Sequence, residues 1–530
     1  MTTNSSTPPG ELAGKKEWIG LAVLILPTLL LSLDLSVLIL AIPHVTADLH
    51  PSSAQMLWIV DIYGFTIAGL LVTMGNLGDR IGHRKLLMIG AALFSVASAV
   101  AAWSSSAEML IAARAGLGIA GSTLMPTMLG LISTMFRNAK QRAVAISVQT
   151  SFFMVGMAIG PLVGGVMLSA FWWGSVFLLG LPVMGLLLVV APILLPEHKA
   201  AGAGGFKLDL VSIVLSMATI LPVIYGLKEL ARGSSVVVSL VVLAAGLLFG
   251  VAFVRRQRRL ADPLLDVRLL GRPAFSGALG MMLLGGSTIS GIILLFNQYL
   301  QLVLGLSPLN SGLWLIPYTV GMVAGYMVSP GLAQRFRPAV VIAAGMMVSL
   351  VGFVLLTQVP ASGGLVITVL GTVLATAGLS PMLVLGIGLV MGSAPPEKAG
   401  AAGAISQTSN ELGVAFGIAV FGSIATAVYR GVAEVPAGVP ADVAAAAREG
   451  IAEGTAAAGT LPGDLAGSLL TAIREAFTSG FAGAAIVCAV LMVVLAAVAL
   501  LLFRHVPKSG QEPAPAAESI PDEVPAGETV

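Results

Sequence analysis

Three carboxylates and one guanidinium stand where their neighbours are almost all apolar. Asp34 lies in Leu31-Ser32-Leu33-Asp34-Leu35-Ser36-Val37, Asp61 in Leu57-Trp58-Ile59-Val60-Asp61-Ile62-Tyr63, and Glu411 in Asn410-Glu411-Leu412-Gly413. Arg114 lies in Ile111-Ala112-Ala113-Arg114-Ala115-Gly116-Leu117. A charge at the centre of a bilayer costs about 2.5–3.5 kcal/mol on insertion scales, so each needs a partner, a proton or a function. An ion pair with Arg114 absorbs one carboxylate and leaves the others. A carboxyl group withdrawn from water holds its proton more readily, and a cation beside it drives that proton off. Proton and organic cation then compete for one site, which is the chemistry of exchange. Asp34 and Glu411, each mid-run, are expected to face a central cavity, while Asp61 lies nearer a run's outer end and suits proton entry or cation release. Lys228 and Glu229 fall at the end of another run, where snorkelling accounts for both.

A cation site also needs apolar and aromatic walls. Trp58 is one helical turn from Asp61, and Tyr63, Trp314 and Tyr318 are further candidates, joined by some of the 22 methionines. Aromatics near run ends also serve as interface anchors. Gln298, Gln407 and Asn410 offer polar contacts, either to a ligand or between helices.

The elements that must position these groups are membrane helices. The 530 residues are 57% hydrophobic and only 10% charged, with a mean hydropathy of +0.98. A soluble domain carries about 25% charge, so a soluble enzyme, a nucleic-acid binder and a secreted scaffold are all disfavoured. A single cysteine, Cys488, excludes an internal disulfide and a multi-cysteine metal site, and five scattered histidines show no ligand spacing. No metal, cofactor or nucleophile–base constellation is expected, so the chain is not read as an enzyme. It also lacks an ATP-binding P-loop, so energy must come from an ion gradient.

A span needs roughly 20 mostly apolar residues. That ruler predicts fourteen, at 18–43, 56–77, 86–103, 108–134, 143–169, 174–195, 209–230, 235–254, 274–303, 309–332, 339–358, 364–391, 400–429 and 477–503. With both termini cytoplasmic, 21 of the 27 Lys and Arg fall on the cytoplasmic side, five outside, and Arg114 within a span. Such asymmetry is the positive-inside pattern of a multi-pass protein of the cell (plasma or inner) membrane. The expected divisions are a cytoplasmic tail (1–17), a six-helix half (18–195), two inserted helices with their linker (196–273), a second six-helix half (274–503) and a disordered cytoplasmic tail (504–530). The second half carries a long external loop, 431–476, rich in Ala, Gly and Pro. Within it Asp442 to Ile451 predicts a short helix, and the run from Asp464 reads as a capped helix start.

The halves are related by a repeat. Leu77-Gly78-Asp79-Arg80-Ile81-Gly82 after span 2 has a degraded copy in Leu332-Ala333-Gln334-Arg335-Phe336-Arg337 after span 10. Ala145-Ile146-Ser147, Gln149-Thr150-Ser151, Gly156 and Gly160 in span 5 return as Ala404-Ile405-Ser406, Gln407-Thr408-Ser409, Gly413 and Gly417 in span 13. Both matches share one offset of eight spans. Two such halves facing each other across a midplane site is transporter architecture.

Six stretches carry a resemblance to a known family. Gly75-Asn76-Leu77-Gly78-Asp79-Arg80-Ile81-Gly82-His83-Arg84-Lys85 resembles the signature loop of the major facilitator superfamily. Gly156-Met157-Ala158-Ile159-Gly160-Pro161-Leu162-Val163-Gly164-Gly165 resembles the antiporter motif that marks its exporters. Leu110, Arg114 and Gly118 are similar to its span-4 motif, with Leu117 in place of the usual Gln. Asp34 to Pro43 resembles a motif of the fourteen-span drug:proton antiporters, and Leu57–Tyr63 and Asn410–Gly413 look like QacA-type quaternary-ammonium exporters. The resemblance covers 18–503. It implies an all-α polytopic major facilitator fold, two six-helix halves plus two inserted helices, working as a monomer in the bilayer with no nucleic acid partner. It implies export of small lipophilic cationic drugs, dyes and antiseptics in exchange for protons, hence multidrug efflux and antibiotic resistance. An exporter of an endogenous antibiotic or metabolite is the alternative, and a non-transporting receptor or scaffold a more distant one. Proton coupling then falls to Asp34, Asp61, Arg114 and Glu411. Substrate binding falls to Asp34, Trp58, Asp61, Tyr63, Trp314 and Glu411. Conformational change falls to Gly75, Asp79, Arg80, Gly82, Arg84, Gly156, Gly160, Pro161 and Gly164. Some relatives carry an extra acid in span 10, where this chain has Gly321-Met322-Val323, so monovalent cations are expected. The Asn often found between Asp34 and Pro43 is Ile39.

Overall fold

Long runs of Leu, Val, Ala and Ile leave the backbone no partner but itself in a bilayer, and helices are the result. The computed structural model describes residues 12–197, 209–231, 236–260, 263, 267–393 and 398–508. Most of the expected terminal tails, 1–11 and 509–530, and the 198–208 linker lie outside them. The helices are α1 (Lys15–Leu49), α2 (Ser53–Ile81), α3 (His83–Ala102), α4 (Ala107–Met135), α5 (Ala139–Ala170), α6 (Ser175–Leu178), α7 (Gly180–Leu194), α8 (Leu210–Ala231) and α9 (Val236–Gln257). They continue as α10 (Pro273–Gln298), α11 (Pro308–Leu313), α12 (Leu315–Arg335), α13 (Pro338–Leu356), α14 (Leu365–Ser393), α15 (Ala399–Val432), α16 (Ala441–Glu449), α17 (Ile451–Ala458) and α18 (Gly463–Leu502). Among the described residues there is no strand. Among the described residues fourteen stretches are long and apolar enough to cross a membrane, with α6–α7 and α11–α12 each making one broken span.

Local signals set the ends. Ser52, Ser106, Asn138 and Ser307 accept from backbone N–H groups in the first turns of α2, α4, α5 and α11, as N-caps do. Proline opens α10, α11 and α13, where its missing N–H costs nothing. Two expectations are corrected between α15 and the last span. The segment is not one loop with a single helix: α16 is joined by α17, and Val443, Ala447, Ile451 and Ala458 are buried in the second half's core. The last helix starts at Gly463 behind Pro462, with no side-chain cap, and Asp464 merely sits in its first turn. Its first fourteen residues escape a hydropathy ruler because only one face, Leu469, Ile473 and Ala476, is buried.

Packing follows the repeat. In the first half α1 packs on α5, α2 and α3 on α4, and α3 on α7. In the second half α10 packs on α15, α12 and α13 on α14, and α13 on α18, which are the same pairs eight spans later. Each half has its own apolar core. The fold is therefore two six-helix bundles plus two inserted helices. They meet where α15 crosses α2 and α4, and where α5 crosses α12 and α14. The inserted pair α8–α9 packs against this seam through α8, which touches both α2 and α15. Outside it, α9 turns bare apolar groups outward, Leu248 being 72% exposed, as a lipid-facing helix must.

Candidate transport site

The repeat places Asp34 on α1 opposite Arg114 on α4, and the two pair. Arg114 Nη1 donates to Asp34 Oδ2 at 2.7 Å, and the guanidinium is only 1% exposed. Its Nε–H donates to the Ile59 carbonyl at 3.2 Å, and its charge lies 4.6 Å from the centroid of the Tyr63 ring. One cation thus fastens α1, α2 and α4 together. Removing one member of such a buried pair costs about 3–5 kcal/mol, because the other charge is stranded. The pull of Arg114 keeps Asp34 within the first half, at the edge of a narrow cavity lined by Leu30, Val37, Phe94, Val176 and Phe177.

Tyr63 is the bridge to the other half. It is fully buried, its hydroxyl has no hydrogen-bond partner among the described residues, and it lies in electrostatic range of Asp34, Arg114 and Glu411. Glu411 projects from α15 and accepts from Gln407 Nε2 at 3.0 Å, one turn back on the same helix. Its repeat-related counterpart in α5, Met154, packs against the second half's core. Both positions therefore reach across the seam, one charged and one apolar.

Asp61 finds a partner that its sequence context hides. Lys228 of α8 donates to Asp61 Oδ1 at 2.6 Å, and its ammonium lies 4.8 Å from the centroid of the Phe65 ring. The snorkelling expected of Lys228 is thus corrected: α8 packs on α2 and α15, and that contact turns the lysine inward until it is 30% exposed. Glu411 also senses the Lys228 charge. Phe65 carries Trp58 edge-on at 6.3 Å and Tyr225 at 6.4 Å between ring centroids. Trp58 is 47% exposed at the rim. Trp314, 36% exposed, opens α12 in the other half, and no described contact joins it to the carboxylates.

The charges do not balance. Two of the three carboxylates face bases, and Glu411 faces an amide; among the described residues no base lies within ion-pair distance of it. Among the described residues Glu411 is therefore the carboxylate in excess of the bases at hand.

At the far end of α2 the halves are clasped. Asp79 Oδ1 and Oδ2 accept from the N–H groups of Gly400 and Ala401 at 2.8 and 2.9 Å, so the carboxylate sits on the positive end of α15. His83 Nε2 adds a contact to Asp79 at 3.2 Å. A Cβ on Gly75 would come within 2.5 Å of the Gly400 carbonyl. Gly82 turns the chain from α2 into α3 at φ 103°, a conformation closed to most side chains. Arg84 reaches Glu197 at 3.0 Å and the Pro192 and Leu195 carbonyls, closing the last turn of α7. Arg80 lies half-buried in the last turn of α2. Gly156, Gly160 and Gly164 let α5 lie on Ser32, Ser36 and Val37 of α1, with Pro161 between them in the same helix. These are contacts inside the first half.

The Major Facilitator Superfamily profile matches residues 24–418, about three quarters of the chain. The chain belongs to the major facilitator superfamily. It is 41% identical to the multidrug efflux pump LfrA of Mycolicibacterium smegmatis, over 82% of this chain and 86% of that one. It is 35% identical to the methyl viologen resistance protein SmvA of Salmonella typhimurium, over 80% of this chain and 85% of the relative. The crystal structure of a bacterial homologue of the human lysosomal transporter Spinster superimposes with a TM-score of 0.53 at 16% identity, covering 95% of this chain and 100% of that one. The last likeness concerns the fold. This major facilitator protein is a multi-pass membrane transporter, not an enzyme.

Within that fold the structure pairs Asp34 with Arg114 beside Tyr63, and Asp61 with Lys228, whose charge Glu411 also senses. Lys228, Phe65 and Tyr225 were not among the residues expected to contribute. Phe65 had a signal, since it follows Asp61 by one helical turn. Lys228 had none, because its neighbour belongs to a helix 167 residues away in the chain.

Proposed function

We propose that this major facilitator protein exports small lipophilic cations, among them drugs, dyes and antiseptics, in exchange for protons across the cell membrane, as a monomer with both termini cytoplasmic. The observation that carries this reading is the excess carboxylate: Glu411 lies in range of Tyr63 and Lys228 at the seam between halves, hydrogen-bonded to a neutral amide. A proton and an organic cation each neutralise that charge, and they exclude one another. The similarity to a multidrug efflux pump and to a methyl viologen resistance protein supports drug export, and the second name that of an organic cation.

The site residues divide the work by position. Glu411 holds the cation when ionised and releases it when protonated, with Trp58 at the rim as an aromatic contact and Trp314 the corresponding contact from the other half. Asp34 exchanges its partner: protonation neutralises it and frees Arg114, which loosens α1 from α4 and Tyr63 from its cation. Asp61 takes and yields protons nearer the outer end. The clasp at Asp79, with Gly75, Arg80, Gly82 and Arg84, holds the cytoplasmic side shut, and the Gly156–Gly164 seam keeps α5 and α1 moving as one body. The proton gradient is the energy source, with no cofactor.

Ethidium accumulation in cells, with and without a protonophore, tests the reading. Cells producing the wild type should hold several-fold less dye than control cells, and the protonophore should erase the difference. Asp34→Asn should behave as the control even when compared at equal amounts of folded protein in the membrane, because an amide cannot exchange a proton; stranding Arg114 should also lower its thermal stability. Export by Asp34→Asn at the wild-type rate would remove Asp34 from the coupling mechanism.

A further inference from the structure

The Lys228 ammonium sits in surroundings that an organic cation would choose. A carboxylate oxygen lies at 2.6 Å and an aromatic centroid at 4.8 Å, with a second carboxylate, Glu411, in electrostatic range. Carboxylate plus ring face is the pair of interactions that binds quaternary and lipophilic cations. Phe65 is extended by Trp58 and Tyr225 into three contacting rings, more aromatic surface than one ammonium uses. Both outer rings are open, Trp58 at 47% and Tyr225 at 38% exposure. Lysine is also the base best suited to leave. Its charge is a point on a flexible stem, where a guanidinium would grip two oxygens at once. Lys228 is also only partly covered, at 30% exposure. Arg114, by contrast, is sealed at 1% exposure and fixed by three contacts.

We propose that Lys228 is a tethered stand-in for the transported cation: it fills a box formed by Asp61 and Phe65 of α2, and substrate enters by displacing it. The inserted helix α8 is then a self-inhibiting element of the binding site. The proposal rests on the cation-export reading and assigns α8 a role that reading does not require. Lys228 supplies Asp61 with a positive charge while no substrate is present. A cation that ejects it gains Asp61 and the aromatic wall together. A purely structural lysine, stapling α8 to α2, would instead be needed for every ligand alike.

Binding to purified full-length protein separates the two roles. Tetraphenylphosphonium is the cationic probe and triphenylphosphine oxide the neutral one. Lys228→Gln should bind tetraphenylphosphonium about tenfold more tightly than the wild type, with the neutral probe unchanged. Lys228→Arg should bind it no more tightly, and Asp61→Asn combined with Lys228→Gln should lose the gain. Equal or weaker tetraphenylphosphonium binding by Lys228→Gln overturns the proposal, as does an equal change for both probes. A measurement on the wild type covers the case in which the variant fails to fold. Saturating tetraphenylphosphonium should raise the rate at which an amine-reactive reagent modifies Lys228 several-fold, read by mass spectrometry. An unchanged or lowered rate overturns the proposal. Failure of the export reading shows elsewhere, as absence of proton-driven transport by the wild type, whatever the Lys228 variants bind.

Discussion

Asp79→Asn should open the clasp between the halves. In the wild type one carboxylate accepts two backbone N–H bonds, 2.8 and 2.9 Å long, from the first turn of α15. A hydrogen bond to a charged group contributes about 1.5–3 kcal/mol, and a negative charge at a helix N-terminus about 0.3–1 kcal/mol more. Asparagine keeps the shape and one acceptor oxygen, but it turns an N–H donor toward the other backbone N–H. The clasped state should therefore lose about 2–4 kcal/mol, which shifts the balance between clasped and open forms by roughly 30- to 700-fold. Distances between spin labels read this directly. Cys488 is the one cysteine in the chain and is buried, so a Cys488→Ser background carries labels at Lys85 and Arg337, one on each half and both exposed. The wild type should show one dominant distance, and Asp79→Asn a second, longer population of comparable or greater weight. A distance distribution identical to the wild type in a folded variant would refute the claim that this carboxylate holds the halves together.

Glu411→Gln should weaken binding of cationic dyes by roughly ten- to a hundred-fold, the size of one charge-assisted contact, and leave a neutral analogue of similar shape almost unaffected. Equal losses measured for both ligands would assign Glu411 to packing. Gly160→Val should destabilise the protein by about 1–3 kcal/mol, because a side chain there collides with Ser36 Oγ; unchanged thermal unfolding in detergent would contradict the α1–α5 seam. Hydrogen bonds from Arg256 hold the Asp209 carboxyl down at about 2, against an ordinary 3.8. The folded group stays ionised while the unfolded one protonates first, so the pair's contribution is complete above about pH 5 and is lost as pH falls through about 2. The melting-temperature gap between wild type and Asp209→Asn should thus stay constant from about pH 8 to 5 and narrow below about 4. No gap at any pH, or a gap that does not narrow below about pH 4, would contradict the pair.

Hydropathy alone reveals the fourteen spans, since a bilayer demands a long apolar run at each crossing, and the Gly156/Gly413 correspondence reveals the eight-span repeat. The link from Asp79 to α15 was half legible: an acid in a tight turn can engage a neighbouring base or a helix N-terminus, but which one is decided only when the halves meet. The rotation of α8 was illegible. A lysine at the end of an apolar run looks the same whether it reaches outward to lipid headgroups or inward to Asp61. Contact of α8 with both α2 and α15 settles the matter, and no local pattern records that contact. Asp34 illustrates the same limit. Its depth in the membrane is plain from its neighbours, yet its direction is set by Arg114, 80 residues later. The helices α16 and α17 escaped because Ala- and Gly-rich segments resemble linkers until their few apolar positions, Val443, Ala447 and Ile451, find a core.

Exchange of cation for proton is tested most directly with the purified protein in liposomes and no other energy source. A pH gradient imposed across the membrane should drive ethidium against its own concentration gradient, toward the more acidic side. Collapsing the pH gradient should stop the movement, and added ethidium should itself drive measurable proton flux in the opposite direction. Ethidium movement that ignores the pH gradient, or that proceeds without any accompanying proton flux, would contradict the account.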